Sequence, residues 1–438
     1  MNRKCLVTML LASCSMMAWA QTQWSLKDCI DYALANNIQV KQAELNVQSA
    51  EVDKKQNFAA LFPSLTFSSS QQLGFQSEST QSYSSFDADI KNPTYNGSYN
   101  LQASVTLYDG GANYRNVKKS RLDHQASILS AEQTANNVEV QIIQAYYQIL
   151  YAHESVLTDE EIVEVAKQEL DRATAKLEVG KCSKVDVAQM ESQYQSNLYQ
   201  LTNAKNQEAA NVLSLKQLLQ LPTSADFNVD LASFSTDDVM RLLAPVAEEE
   251  QMALANLPDV KAAELNLESA RLNEKIARGG YAPTISLSAG VSTGNANTYQ
   301  GSFGTQLGDH MRESIGLSLN VPIYDNRRTR SSVDKAKIQT SNSLFSVEDT
   351  RLQVCNTIAS LHLDIESAQS RYTSAVASEV AAKESYDVMS ERFNVGLESL
   401  IDLLNEKNKY LQARQETLQS KFTALLNLRL MDFYTGRE

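Results

Sequence analysis

The chain repeats itself, and that repeat limits its possible folds more than any other feature. Ala33-Leu34-Ala35-Asn36 returns as Ala253-Leu254-Ala255-Asn256, Val40-Lys41 as Val260-Lys261, and Ala43-Glu44-Leu45-Asn46 as Ala263-Glu264-Leu265-Asn266. Ser49-Ala50, Lys55 and Pro63 match Ser269-Ala270, Lys275 and Pro283, all at one offset of 220. Further on the offset becomes 216: Tyr108-Asp109 matches Tyr324-Asp325, Val179-Gly180 matches Val395-Gly396, and Ser183 and Asp186 match Ser399 and Asp402. Self-similarity over so long a period means one architectural unit built twice. The boundaries read as a first repeat over 21–222, a linker over 223–250 and a second repeat over 251–438.

Each half reads as helix, strand, loop, strand, very long helix, tight turn, helix. Residues 113–178 and 327–395 hold no Pro or Gly, and at 1.5 Å per residue each is a rod of roughly 100 Å. Helices near 37–61 and 258–279 precede the strands, and helices near 184–221 and 399–433 return from the turns. Leu404, Leu411, Leu418 and Leu425 recur every seven residues, the spacing of a packed helical seam. Strands are predicted at 64–76, 98–108, 284–292 and 313–323, where apolar and polar residues alternate. Leu65, Phe67 and Leu73 alternate with Ser64, Thr66 and Gln72, and Leu317 and Leu319 with Ser318 and Asn320. Each segment is about ten residues long, the length of a strand tilted across a bilayer.

A soluble sheet with one buried face is the competing reading. The second faces carry Ser, Thr, Asn and Gln with almost no charge, which suits a wet lumen. The connecting loops, 77–97 and 293–312, are long and polar, as outer loops of membrane barrels are. No segment after the N-terminus reaches about 18 consecutive apolar residues, so a membrane role needs a barrel. Four strands cannot close one, and an open edge in lipid leaves backbone groups unpaired. Two copies give eight strands and three give twelve; both remain open at this point. The fold class is therefore mainly α, with duplicated long α-hairpins and four β-strands that contribute to a transmembrane β-barrel.

The formal charge of -13 argues against a nucleic-acid partner, whose phosphates call for a basic surface. Residues 1–20 read as a secretory signal: Arg3 and Lys4, an apolar run, then Ala18-Trp19-Ala20. Leu11-Ala12-Ser13-Cys14 offers a competing lipoprotein cleavage, with Cys14 lipidated. Cys29, Cys182 and Cys355 are far apart and read as free thiols, without a disulfide framework. His124, His153, His310 and His362 are scattered, and no catalytic, metal or cofactor motif occurs, so no enzyme activity is expected.

Local spacing assigns some roles. Asp109 and Asp325 each follow a Tyr at a strand end and precede a rod, as helix N-caps. Tyr108 and Tyr324 fall where an interfacial aromatic girdle belongs. Ser183-x-x-Asp186 and Ser399-x-x-Asp402 match a capping box. Gly180 and Gly396 break the rods into hairpins.

These segments together resemble the TolC family of outer-membrane efflux proteins, over essentially the whole chain after the signal. The most specific parts are the duplication, Leu107-Tyr108-Asp109-Gly110-Gly111, Val321-Pro322-Ile323-Tyr324-Asp325, Val179-Gly180 and Arg392-Phe393-Asn394-Val395-Gly396-Leu397. The resemblance implies a homotrimer sharing a twelve-stranded barrel, with a helical tunnel across the periplasm and an equatorial region near 222–250. It implies an outer-membrane exit duct serving an inner-membrane pump. A periplasmic adaptor would dock at the hairpin tips, Val179, Gly180 and Lys181 with Val395, Gly396 and Leu397. It also implies a carboxylate gate at Asp186 and Asp402. The gate departs from the best-known pattern: Glu398 stands where some members have Arg, and Asn405 and Gln189 fall at the second acidic positions. Lys181 or Lys184 is expected to bridge to Glu398 instead. A periplasmic coiled-coil scaffold without a pore is the alternative function; it accounts for the helices but not for the four alternating segments.

Overall fold

The computed structural model describes residues 23–75, 93–180, 182–231, 235–395 and 397–437. The signal-peptide and Cys14 expectations lie outside the described residues, as do Lys181, Gly396 and most of the first outer loop. The elements are α1 (Leu26–Asn36), α2 (Ile38–Ala59), β1 (Ser64–Gly74), β2 (Thr94–Asp109), α3 (Ala112–Glu178) and α4 (Lys184–Leu218). They continue with α5 (Thr236–Val239), α6 (Val246–Asn256), α7 (Pro258–Gly279), β3 (Thr284–Ala296), α8 (Phe303–Asp309), β4 (Arg312–Asn320), α9 (Arg328–Asn394) and α10 (Leu400–Thr435). The rods α3 and α9 have 67 residues each.

Both rods start in the same way. The Asp109 carboxylate accepts the Asn113 N–H at 2.8 Å, and the Asp325 carboxylate accepts the Thr329 N–H at 2.8 Å. Each satisfies an N–H that the first helical turn leaves unpaired. Between cap and helix the backbone is left-handed. The first copy uses Gly110 and Gly111 there (φ 70° and 77°), and the second uses Asn326 and Arg327 (φ 53° and 65°). A Cβ on Gly110 would meet the Gly279 carbonyl oxygen at 2.6 Å, so only glycine fits there.

The four strands form one antiparallel sheet in the order β1-β2-β3-β4. Register places like with like. Phe67 pairs with Leu101 and Leu101 with Val291, while Ser68 pairs with Asn100 and Asn100 with Ser292. Leu287 pairs with Leu317 and Ser286 with Ser318. One face is thus a mainly apolar band and the other a Ser/Thr/Asn/Gln surface, with charge at the start of β4, where Arg312 pairs with Ser292 on the polar face and Glu313 with Val291 on the apolar one. The band is bare: Leu65, Phe67, Ile315 and Leu317 are all exposed. A bulge between Thr106 and Tyr108 advances the register by one residue, so Tyr108 pairs with Ile285 on the apolar face.

The strand ends differ from expectation. β2 begins at Thr94, because Thr94–Ser98 pair with Ser70–Gly74 although Gly97 interrupts the alternation. β3 runs on to Ala296, and the second loop contains α8. β4 stops at Asn320 and does not reach residue 323. Pro322 has no N–H to donate to a ladder, and Ile323 beside it is 95% exposed.

The chain divides into two compact units, each drawing on both halves. One comprises Asn46–Leu129 and Lys261–Glu348, and includes the sheet. The other comprises Ser130–Val260, the residues up to Leu45 and those from Asp349. The second unit holds the main core, with Ile142, Ile143, Leu215, Leu219, Ile358, Ile365 and Met431 fully buried. Cys29 lies in this core, and burial pushes its thiol up to about 12. Cys29, Cys182 and Cys355 are all free. No helix among the described residues is long and apolar enough to cross a membrane.

Candidate functional site

The two hairpin ends, α3–α4 and α9–α10, come together around a small core of their own. Ala173, Met190, Leu400 and Leu403 are buried there, with Tyr386, Met389 and Phe393 packed against them. Gly180 takes φ 73° with nothing within 4 Å of a Cβ, so its role is conformational. Its N–H returns to the Leu177 carbonyl at 2.9 Å. In the second hairpin the Leu397 N–H closes on the Arg392 carbonyl at 2.9 Å. The turn residues Val179, Val395 and Leu397 are about 70% exposed, a solvent-facing apolar tip.

Ser183 and Ser399 cap α4 and α10. The Ser183 hydroxyl accepts the Asp186 N–H at 3.1 Å, and the Asp186 carboxylate accepts the Ser183 N–H at 3.1 Å. In the second copy the Asp402 N–H reaches the Ser399 hydroxyl at 3.2 Å, and that hydroxyl donates to the Asp402 carboxylate at 2.5 Å. Hydrogen bonds from Ser183, side chain first and then backbone, hold the Asp186 carboxyl below the usual carboxylate range. Asp186 is half-buried and Asp402 exposed, with Gln189 half-buried and Asn405 exposed one turn further on.

Glu398 does not pair with Lys184. It bonds Arg392 at 2.8 Å. The physical reason is the turn itself: the Leu397–Arg392 closure folds Glu398 back against the last turn of its own helix. Lys184 is exposed and forms no salt bridge among the described residues.

Two ionic clusters, each with a buried member, had no reading in the sequence. Near the tip, Lys407 is 3% exposed and donates to Glu169 at 2.5 Å. The Tyr386 hydroxyl donates to the other Glu169 oxygen at 2.8 Å, and its ring stacks on Tyr410. Burial first, and then the Glu169 charge, pushes the Tyr386 hydroxyl well above its usual range. The cluster ties α3, α9 and α10 together. The second lies within 222–250 and its partners. Glu249 is fully buried, 3.1 Å from His362 and 3.7 Å from Arg437, while Arg241 grips Asp432 through two bonds of 2.7 and 2.9 Å. A signal for the first cluster was present, because Lys407 and Arg414 follow Leu404 and Leu411 by three residues, on the second line of the heptad seam. The second cluster had no such signal, because Glu249 and His362 are 113 positions apart.

A four-stranded sheet with one mainly apolar and one polar face, together with two helical hairpins that each include a 67-residue rod, defines the class: an outer-membrane channel fold. The chain belongs to the outer membrane efflux protein family, which it matches over residues 29–220 and 250–436. It is 28% identical to outer membrane protein TolC of Escherichia coli strain K12 over 293 residues, 65% of this chain and 58% of TolC. It is 20% identical to the alkaline protease secretion protein AprF of Pseudomonas aeruginosa over 417 residues, 94% of this chain and 84% of AprF. Among solved structures, it superposes on the outer membrane protein VceC of Vibrio cholerae with a TM-score of 0.80 at 15% identity, covering 94% of this chain and 97% of VceC.

Proposed function

We propose that this chain is one subunit of a homotrimeric channel in the outer membrane, the passive exit duct of a tripartite efflux or type I secretion system. Its long hairpins would extend through the periplasm. The observation that carries this reading is the sheet: β1 and β4 are its two edges, and one face is mainly apolar while the other is polar with little charge. In lipid such edges must pair with another chain, and three copies give a twelve-stranded barrel of a size that leaves a lumen.

The helices support assembly from the same chain. Ile38, Leu45 and Val52 recur every seven residues along α2 and are all exposed. Ile338, Phe345 and Leu352 do so along α9, each 62% exposed, so the described residues of the chain cover little of them. α2 runs toward the sheet and α9 away from it. Pairing them between neighbours sets Val52 on Ile338, Leu45 on Phe345 and Ile38 on Leu352, an antiparallel apolar seam. Nearer the tips, Tyr199 of α4 and Val380 of α9 are also exposed.

In this reading residues 21–222 and 251–438 are the two structural repeats, and 223–250 is the equatorial linker. Val179, Gly180, Lys181, Val395, Gly396 and Leu397 form the surface on which a periplasmic adaptor of the pump docks. Three copies of Asp186 and Asp402 ring the tunnel mouth, with Lys184 and Glu398 beside them. The serine bonds that keep Asp186 charged in one chain oppose the mutual repulsion of the ring, so bound cations complete it.

Purified protein in a planar bilayer should show discrete conductance steps with a preference for cations. Asp186→Asn combined with Asp402→Asn should abolish that preference and relieve block by divalent cations. Absence of any conductance step contradicts the channel, and unchanged selectivity contradicts the gate.

A further inference from the structure

We propose that the helix ends beside the sheet form a basic belt that binds the headgroups of anionic phospholipids in the periplasmic leaflet of the outer membrane. The inference rests on the channel reading, which puts the apolar face of the sheet in lipid.

The polar side of this region is marked by a cleft. Thr284 and Asn320 line it from the polar face of the sheet, along with Ala112 at the start of α3, Asn273, Ala277 and Gly280 around the end of α7, and Arg328 at the start of α9. Two residues further along an α-helix a side chain points about 200° away. That offset leads from Ala112 to Tyr114, from Asn273 and Ala277 to Lys275, and from Arg328 to Arg330. These positions therefore lie on the side that continues the apolar face of the sheet.

That side is net cationic on all three helices, and on α9 the exposed Asp334 is paired with Lys337 at 4.0 Å. α3 presents Lys118 and Arg121 four and seven residues after Tyr114, with the Lys118 ammonium 4.9 Å from the centre of the Tyr114 ring. α7 presents Arg271 and Lys275, and α9 presents Arg330. All five are exposed, and none forms a salt bridge among the described residues. They lie within roughly 14 Å of the helix ends nearest the sheet, and their side chains are long enough to snorkel toward it. The chain as a whole carries -13, so this concentration is local. The exposed Tyr114 and Tyr281 lie along the chain between the strand ends and the charges, Tyr114 after β2 and before Lys118, Tyr281 after Lys275 and before β3, the order of an interfacial girdle. Apolar band, aromatic ring and basic belt in sequence match acyl chain, interface and anionic headgroup. Cations near such a leaflet attract it by about fivefold each, within a Debye length.

The test uses the full chain reconstituted into vesicles of phosphatidylcholine alone and of phosphatidylcholine with phosphatidylglycerol. Spin-labelled lipids of each type report which headgroup the protein surface holds. The expected result is about fivefold enrichment of phosphatidylglycerol, collapsing at about 0.5 M salt. The variant K118Q/R121Q/R271Q/K275Q/R330Q should insert and conduct as before without that enrichment. The charge-keeping variant K118R/R121K/R271K/K275R/R330K should retain it. Insertion with no preference, or a preference that survives the glutamine substitutions, overturns the belt alone. Failure to insert into any vesicle overturns the channel reading and the belt with it.

Discussion

Phe345→Glu is expected to give a folded chain that no longer assembles. Phe345 is the central residue of the exposed stripe on α9, and its own chain covers little of it. In the monomer the substitution therefore removes an apolar group from water and places a charge there, with little effect on stability. In the proposed seam it places a carboxylate against Leu45 of a neighbour, inside a stripe that is otherwise apolar. An uncompensated buried charge costs several kcal/mol, and the closed ring contains three such contacts. Light scattering after detergent solubilisation should show only monomer, while circular dichroism keeps the helical signal. A full-sized oligomer would mean that the α9 stripe faces something other than a second copy.

The second large effect is within the chain. Lys407→Met should cost about 3–5 kcal/mol of stability, because it leaves Glu169 charged and largely buried beside Tyr386. Combining it with Glu169→Gln should recover most of that loss, since a buried ion pair as a whole contributes little net stability. Denaturant melting of the two variants measures both quantities. A loss below about 1 kcal/mol for Lys407→Met would mean that water reaches the pair as it does on a surface.

The parts of this fold that local sequence determines were readable. The rods follow from the absence of Pro and Gly, and their starts from Asp109 and Asp325, whose partners lie four residues away. The strands follow from a period of two, which also sorts the two faces. Where local and long-range preferences compete, reading was poorer. Gly97 reads as a strand end but stays in β2, because Gln71 and Asn295 flank it across the ladders. Val321 and Ile323 keep the alternation, yet Pro322 takes them out of the sheet.

The tip divides the same way. The serine caps were legible because each lies three residues from its aspartate. The partner of Glu398 was not, because it depends on how tightly the turn closes, and that closure brings in Arg392 rather than Lys184. Glu169 with Lys407 and Glu249 with His362 join residues 238 and 113 positions apart, and no short motif encodes such a pair. The heptad position of Lys407 was a partial clue, marking a cation inside a seam that otherwise reads as leucine.

In the proposed channel this chain closes a barrel only with copies of itself, and the number of copies is three. Native mass spectrometry of the complex extracted from outer membranes tests it most directly. A species of three chains, resistant to dissociation until the detergent is made denaturing, is the predicted result. A monomer that stays in solution without detergent, or a complex of two chains, would contradict it.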